Sequence, residues 1–128
     1  MTMGQIVTAL PALQKLADEK LTLKTLYKVS NLLSKADREI SFYNSERYKI
    51  VESLGNNLQD DKWQIPEENR AEFESRMSEL LNLEVDAELT PVTVPTSEDL
   101  HMSYNDIKAL EGFVIWSLLN LDERKEHV

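Results

Sequence analysis

Residues 22–54 read TLKTLYKVSNLLSKADREISFYNSERYKIVESL, and this stretch decides the fold. It contains no Gly or Pro, and apolar or aromatic side chains recur in alternating steps of three and four residues, which places them in one stripe along a helix. Gly55-Asn56-Asn57 follows with residues that suit a helix end. We name this stripe the seam, and Arg47 is its one charged member. The seam consists of Leu26, Val29, Leu33, Ala36, Ile40, Tyr43, Arg47, Ile50 and Leu54.

The predicted helix is long for the chain that contains it. At about 1.5 Å per residue it would extend about 50 Å, more than the width of a domain of this size. A second helix, predicted to begin at Pro66, is about half as long and would cover one end of the seam if it folds back antiparallel. We therefore expect self-association or docking on a partner, and the alternative is a monomer whose C-terminal helix covers the rest. The seam residues expected to bind a partner are Leu33, Ala36, Ile40, Tyr43, Arg47 and Ile50.

Arg47 interrupts the apolar seam. A guanidinium in such a position costs desolvation energy unless it meets a carboxylate or reaches water, so it would fix the register between helices or select the partner. The alternative is that the helix turns away from its partner at this point and leaves Arg47 in solvent.

The segments before and after the long helix give shorter patterns. Residues 5–10 suit a short strand or part of a helix, and residues 11–20 suit a short helix that starts at Pro11. Asp60-Asp61 marks a turn, and residues 62–65 alternate as one strand of a hairpin would. Residues 83–90 alternate apolar and polar side chains, which predicts a strand with one buried face.

The C-terminal third is punctuated by Pro and Gly. Pro91 and Pro95 confine residues 92–94 to an edge strand or an extended connector. Ser103 and Asp106 form a predicted capping box that opens a helix, which Gly112 bends or ends. The structure of residues 113–121 is left open by the sequence.

These segments together predict an α+β fold that is mostly α. It has a long helix, a shorter antiparallel helix, a small β-hairpin or sheet and a C-terminal helix. The 128 residues suit a single domain over 1–121, followed by a charged tail over 122–128.

Acidic residues dominate the second half of the chain. The sequence has 14 Lys and Arg against 23 Asp and Glu, for a formal charge of −9, and residues 66–128 carry essentially all of it. Direct binding to nucleic acid is therefore not expected. On the predicted strand, Glu84, Asp86 and Glu88 would project from one face and meet a basic partner, or they would form a solvated face that protects an edge strand. A metal site is not expected there, because calcium prefers oxygens that converge from a loop.

The sequence offers little for catalysis or cofactor binding. It has no Cys and only three Gly, and its two His are far apart, so thiolate metal sites and Gly-rich phosphate loops are excluded. Ser97, Asp99 and His101 lie at alternate positions, but residues so spaced point the same way instead of converging on a substrate. We expect no enzyme activity, no cofactor and no metal.

Spaced hydrophobic residues recur over positions 10–115. They lie in Leu13-Gln-Lys-Leu16, Lys20-Leu-Thr-Leu23, the long helix from Tyr27 to Ile50, Trp63-Gln-Ile-Pro66, Phe73 with ELLNLEV at 79–85, and IKALEGF at 107–113. This order of segments resembles that of small phage- and prophage-encoded proteins of unknown function. The resemblance implies a viral origin and a role in virion assembly or in binding a host protein, and it transfers no functional residues.

Two functions remain as expectations. The first is a non-enzymatic phage accessory protein that acts by protein–protein interaction, in virion assembly or structure, and is expected to form a homo-oligomer. The second is an acidic inhibitor that occupies the basic nucleic-acid-binding groove of a host enzyme. The N-terminus has no basic region and reaches Pro11 before an apolar run, so no secretion signal is expected. The longest apolar run is too short for a membrane span, and the host cytoplasm or the virion is the expected location.

Overall fold

The computed structural model describes residues 1–96 and 100–117. In these residues the chain forms four helices and four short strands, and the predicted α+β, mostly α fold is confirmed. The elements are α1 (Met3–Ala17), α2 (Leu23–Leu54), β1 (Asn56–Asn57), β2 (Trp63–Gln64), α3 (Glu67–Leu81), β3 (Val92–Pro95), α4 (Tyr104–Ala109) and β4 (Val114–Ser117).

Helix α2 confirms the long uninterrupted helix. It begins one residue after the predicted start, where the Thr22 hydroxyl accepts a hydrogen bond from the Thr25 N–H at 3.3 Å and so caps the first turn. It ends at Leu54, as predicted. The next residue must be small, because a Cβ on Gly55 would lie 2.7 Å from the Val51 carbonyl oxygen.

Helix α1 corrects the expectation of a boundary at Pro11. Residues 3–17 form one helix with Pro11 inside it, so residues 5–10 are not a strand. Proline lacks the N–H that would bond to the carbonyl of Val7, four residues earlier. Pro11 lies on the exposed side of the helix, where water can solvate that carbonyl, and the buried residues Met3, Ile6, Ala9, Leu13 and Leu16 keep the helical spacing on both sides of it.

Contacts divide the chain into two compact units. Unit 1 comprises residues 1–7 and 37–86, and unit 2 comprises residues 8–36 and 87–128. Two of the three boundaries fall within α1 and α2, and the third lies between residues 86 and 87, after α3. A single domain over 1–121 stays a prediction, and the charged tail at 122–128 lies outside the described residues.

In unit 1, α3 runs antiparallel to the second part of α2. The Asn69 side chain, in the first turn of α3, donates a hydrogen bond to the Leu54 carbonyl at the end of α2, at 2.9 Å. The connection is the β1–β2 hairpin, in which Asn56 pairs with Gln64 and Asn57 with Trp63. Asp60 and Asp61 both have positive φ and form the predicted turn.

The N-terminus joins the end of α3 in the same unit. The Met3 N–H donates to the Leu83 carbonyl and the Val85 N–H donates to the Met1 carbonyl, both at 2.9 Å. The Met1 ammonium lies 3.0 Å from the Glu84 carboxylate.

The predicted strand over 83–90 is wrong. Within that segment the structure has only an isolated bridge between Thr2 and Glu84. Burial still alternates, since Val85, Ala87 and Leu89 are partly buried and the residues between them are exposed. The alternating pattern records this burial, but a strand also needs a backbone partner along its length.

In unit 2, β3 and β4 form a parallel pair with Val92 opposite Val114 and Val94 opposite Trp116. In a two-stranded sheet β3 is an edge strand, as predicted, and β4 occupies part of the segment that the sequence left open. Residues 118–121 of that segment lie outside the described residues. The capping box is confirmed, because the Ser103 hydroxyl accepts from the Asp106 N–H and the Asp106 carboxylate accepts from the Ser103 N–H.

Gly112 ends the α4 region with a φ of 87°, a conformation that suits glycine. This agrees with its predicted role at the end of the C-terminal helix. The Lys15 ammonium of α1 lies 3.2 Å from the Asp106 carboxylate in the first turn of α4.

The two units differ in the size of their cores. Unit 1 is fully described, and its buried hydrophobic residues are Met3, Ile6, Leu54 and Leu80. Among the described residues of unit 2, twelve hydrophobic residues are buried, including Phe113, Leu13 and Val29. Unit 1 therefore has a thin core for its size.

None of the helices in the described residues combines the length and the apolar character that crossing a bilayer requires.

Candidate functional site

The seam of α2 is partly covered by its own chain. Val29, Ala36 and Leu54 are buried, whereas Leu26, Leu33, Ile40, Tyr43 and Ile50 are partly buried. The boundary between the units falls after Ala36, so Leu33 and Ala36 belong to unit 2 and the remaining predicted contact residues belong to unit 1. The helix is continuous, but its stripe is shared between two units.

Arg47 is exposed, and no ion pair to it is present among residues 1–96 and 100–117. In the isolated chain its guanidinium is exposed to water, and both hypotheses for this position concern a complex with a partner. A role in selecting a partner stays a prediction.

The three predicted acidic contacts do not share a strand. Glu84 is exposed and pairs with the Met1 ammonium, and Asp86 is exposed at the end of unit 1. Glu88 belongs to unit 2, where its backbone carbonyl accepts a hydrogen bond from Lys35 at 3.3 Å. The regular row of carboxylates fails because the strand that would align them does not form.

A groove between α2 and α3 forms an apolar concave surface of unit 1. It encloses about 330 Å³. Ile50 and Leu80 line it, and Leu80 is buried while Ile50 is partly buried. Phe42 and Leu83 line the same groove and remain 47% and 43% exposed, a high exposure for large apolar side chains. We call this surface the α2–α3 groove.

Charged side chains complete the α2–α3 groove. Glu46, Arg76 and Glu79 line it together with the apolar residues. The Arg76 guanidinium lies 2.6 Å from the Glu72 carboxylate of its own helix and donates a hydrogen bond to the Ser53 hydroxyl of α2 at 3.3 Å. Glu46 pairs with Lys49 within α2 at 3.1 Å. An apolar centre with charged sides is the form of many protein-binding grooves.

The field around the groove is negative. Unit 1 contains thirteen acidic and six basic side chains, so it carries −7 of the formal charge of −9. Residues 66–86 contribute −5 to this charge and residues 37–65 contribute −2, whereas the acidic residues of 87–128 are partly offset in unit 2 by the basic residues of 8–36.

Sequence reasoning found Ile50 but missed Phe42 and Leu83. Phe42 lies beside the seam position Tyr43, on an adjoining face of α2, and Leu83 was assigned to the buried face of a strand. The sequence did contain a signal for Phe42. A large aromatic residue next to the seam indicates a second apolar face on the same helix.

Of the residues weighed for catalysis, Ser97 and Asp99 lie outside the described residues. The backbone N–H of the third, His101, donates to the Glu19 carboxylate at 3.0 Å. In residues 1–96 and 100–117, no group of three His, Asp or Glu side chains is placed to hold a metal ion.

Comparison with protein-family models, with curated proteins and with solved structures gave no match to this chain.

Proposed function

We propose that this chain is a non-enzymatic accessory protein of the phage type that acts by protein–protein interaction. The binding surface is the α2–α3 groove of unit 1, and the ligand is an amphipathic helix of a basic partner protein. The single observation that supports this most is the pair of large apolar side chains, Phe42 and Leu83, left half in water beside the apolar Ile50 and Leu80.

The size of the core supports the same proposal. Unit 1 buries only four hydrophobic residues in its own fold. A partner that covers the groove would remove further apolar surface from water, at roughly 25 cal/mol per Å². Binding to the folded state alone would also stabilise that state.

Charge favours a basic partner over a second copy. Two copies that meet through unit 1 would bring together two surfaces of formal charge −7, and like charges disfavour such pairing. A helix with apolar residues on one face and Lys or Arg beside them complements both the groove and the acidic surface around it. We therefore propose a complex with a basic partner and not the homo-oligomer expected from the sequence. The experiment below distinguishes the two.

A synthetic helix tests the groove. The peptide carries Leu at alternating steps of three and four residues and Lys elsewhere, and matched peptides replace Lys by Glu or scramble the order. We expect the Lys peptide to bind by calorimetry and the scrambled and Glu peptides to bind far less. The double variant Phe42→Ser/Leu83→Ser should weaken binding at least about tenfold, because two apolar contacts of roughly 1 kcal/mol each are lost.

The control variant removes one exposed aromatic and one exposed aliphatic side chain from unit 2. Tyr27 and Ile107 are 67% and 40% exposed, and Tyr27→Ser/Ile107→Ser should bind as the wild type does. Equal binding of the Lys and scrambled peptides would reduce the interaction to charge alone and contradict the proposal. Light scattering could instead show a stable dimer that dissociates in the variant Phe42→Ser/Leu83→Ser. That result would identify the ligand of the groove as a second copy of this chain and would contradict the basic partner.

A second candidate is an acidic inhibitor that occupies the nucleic-acid-binding groove of a host enzyme. The charge of unit 1 favours it, because a dense set of carboxylates can stand in for phosphates. The test uses a basic host enzyme that binds to this chain. It measures whether the chain displaces labelled DNA from that enzyme, at several rising salt concentrations. Displacement that weakens steeply with salt supports this function, and an enzyme that holds DNA and the chain together contradicts it.

A further inference from the structure

Unit 1 has a second concave surface, formed by α2, the β1–β2 hairpin and α3. It encloses about 720 Å³, within the range of ligand-binding sites. Three aromatic residues line it, Tyr48, Trp63 and Phe73, one from each of these elements. Tyr48 and Trp63 pack edge to face, with ring centroids 6.2 Å apart and planes at 82°. We call this surface the aromatic cleft.

The aromatic cleft also has a carboxylate in its lining. Asp61, from the hairpin turn, lines it, and within the described residues no ion pair to Asp61 is present. Glu52 is a second acid beside it. Its hydrogen bond and charge raise the pKa of the Tyr48 hydroxyl above its ordinary value, and burial and the charge of Asp61 act in the same direction. Tyr48 therefore stays neutral, and the acidic groups that act on it are Glu52 and Asp61.

Aromatic faces and a carboxylate favour the same kind of ligand. The ring faces carry negative electrostatic potential and attract an organic cation, and an unpaired carboxylate attracts it as well. An aliphatic stem would pack on Val51 and Ile65, which also line the cleft. Arg47 lies in the same lining, and the positive charge of its exposed guanidinium opposes a bound cation.

We propose that the aromatic cleft binds the side chain of a lysine or arginine on a protein partner, with the cation against the Tyr48 and Trp63 rings and beside the Asp61 carboxylate. The inference rests on the proposed function for the identity of the partner, and it deepens that function by naming the chemistry of a second contact. The cleft itself is separate from the α2–α3 groove in its lining residues.

The two tryptophans make the cleft observable. Trp63 lines it, and Trp116 lies in β4 of unit 2, so the two indole N–H signals report the site and a control in one NMR spectrum. The probes are Nα-acetyl-lysine methylamide, the arginine equivalent, the uncharged norleucine equivalent and choline. We expect the lysine or arginine probe to move the Trp63 signal with saturation in the millimolar range, and to leave the Trp116 signal in place.

Two neighbouring aspartates provide a matched pair of variants. Asp60 and Asp61 share the hairpin turn and both have positive φ, which Asn tolerates as well as Asp does. Only Asp61 lines the cleft. Asp61→Asn should weaken binding of the cationic probes about fivefold, whereas Asp60→Asn, with the same change in net charge, should not. Arg47→Gln should strengthen binding about twofold.

Each other result overturns the inference. A norleucine shift as large as the lysine shift would make the cleft an apolar site only. Equal loss in the two Asn variants would reduce binding to the general negative field, and stronger binding of choline than of both amino acid probes would point to a free small cation. The cleft and the α2–α3 groove share no lining residue. If the amino acid probes do not bind the cleft, the inference fails, but binding of the Lys peptide to the groove is still expected. If Phe42→Ser/Leu83→Ser does not weaken binding of the Lys peptide, the proposed function fails, and binding of the probes to the cleft is still expected.

Discussion

Asp106 is the residue at which local and distant interactions meet in unit 2. Its carboxylate accepts from the Ser103 N–H in the capping box and lies 3.2 Å from the Lys15 ammonium. The hydrogen bond from Lys15 is the main cause that lowers the pKa of Asp106 below its ordinary value, and the capping interactions with Ser103 act in the same direction.

This lowered pKa predicts a pH dependence of stability. A carboxyl whose pKa is lower in the folded state stabilises that state above the unfolded pKa, about 3.9, and the contribution disappears as pH falls through the folded pKa. Lys15→Met should raise the pKa of Asp106 and flatten the loss of unfolding free energy at acid pH. An NMR titration of the Asp106 carboxyl together with urea unfolding at several pH values measures both.

Lys20→Met is the control for that prediction. Lys20 is exposed and makes no ion pair within the described part of the chain, so its loss should leave the pKa of Asp106 in place. A pKa of Asp106 that is the same in Lys15→Met and in the wild type would show that the ion pair is absent in solution.

At the residue scale the sequence was informative where an interaction is local. The capping box needs only Ser103 and Asp106, three residues apart, and the hairpin turn needs only two residues that tolerate positive φ. The exposure of Phe42 and Leu83 was not predictable, because it depends on which surfaces α3 leaves uncovered.

At the scale of elements, α2 was predictable because its whole length repeats one period. The absence of a strand at 83–90 was not predictable, since the alternation there indicates which side chains are buried and says nothing about a backbone partner. For helix α1, a local signal led to a wrong prediction, because contacts of the whole helix outweigh it. Pro11 is a strong local signal for a helix boundary, but the apolar residues before and after it share one buried face and hold the helix together.

Helix α1 carries the prediction that belongs to this scale. Pro11→Ala should stabilise the protein by about 1–2 kcal/mol, because it restores the hydrogen bond to the Val7 carbonyl and removes a steric clash, less the entropy that proline removes from the unfolded chain. Urea unfolding measures the change.

Pro91→Ala is the matched control for Pro11→Ala. Pro91 is also exposed, but it precedes β3 and lies in no helix, so its replacement should be neutral or slightly destabilising. Equal effects of the two substitutions would contradict the assigned cost of Pro11 within α1.

At the scale of the whole molecule, core size and charge are distributed unequally. Unit 1 has four buried hydrophobic residues, whereas the described part of unit 2 has twelve. Unit 1 also carries −7 of the formal net charge of −9. Few buried apolar contacts lower the free energy of local opening. The total charge and apolar content can be counted from the sequence. How they are divided between the two units depends on contacts between residues far apart in the chain, such as those of residues 1–7 with residues 81–85.

Hydrogen–deuterium exchange with and without the Lys peptide tests the central claim, that unit 1 docks a basic partner helix, most directly. Without peptide, amides of α3 should exchange faster than those of residues 23–36 of α2. With peptide, exchange should slow in residues 42–50 and 76–83 and stay unchanged in β3 and α4. Slowing confined to unit 2, or no slowing at saturating peptide, would contradict the account.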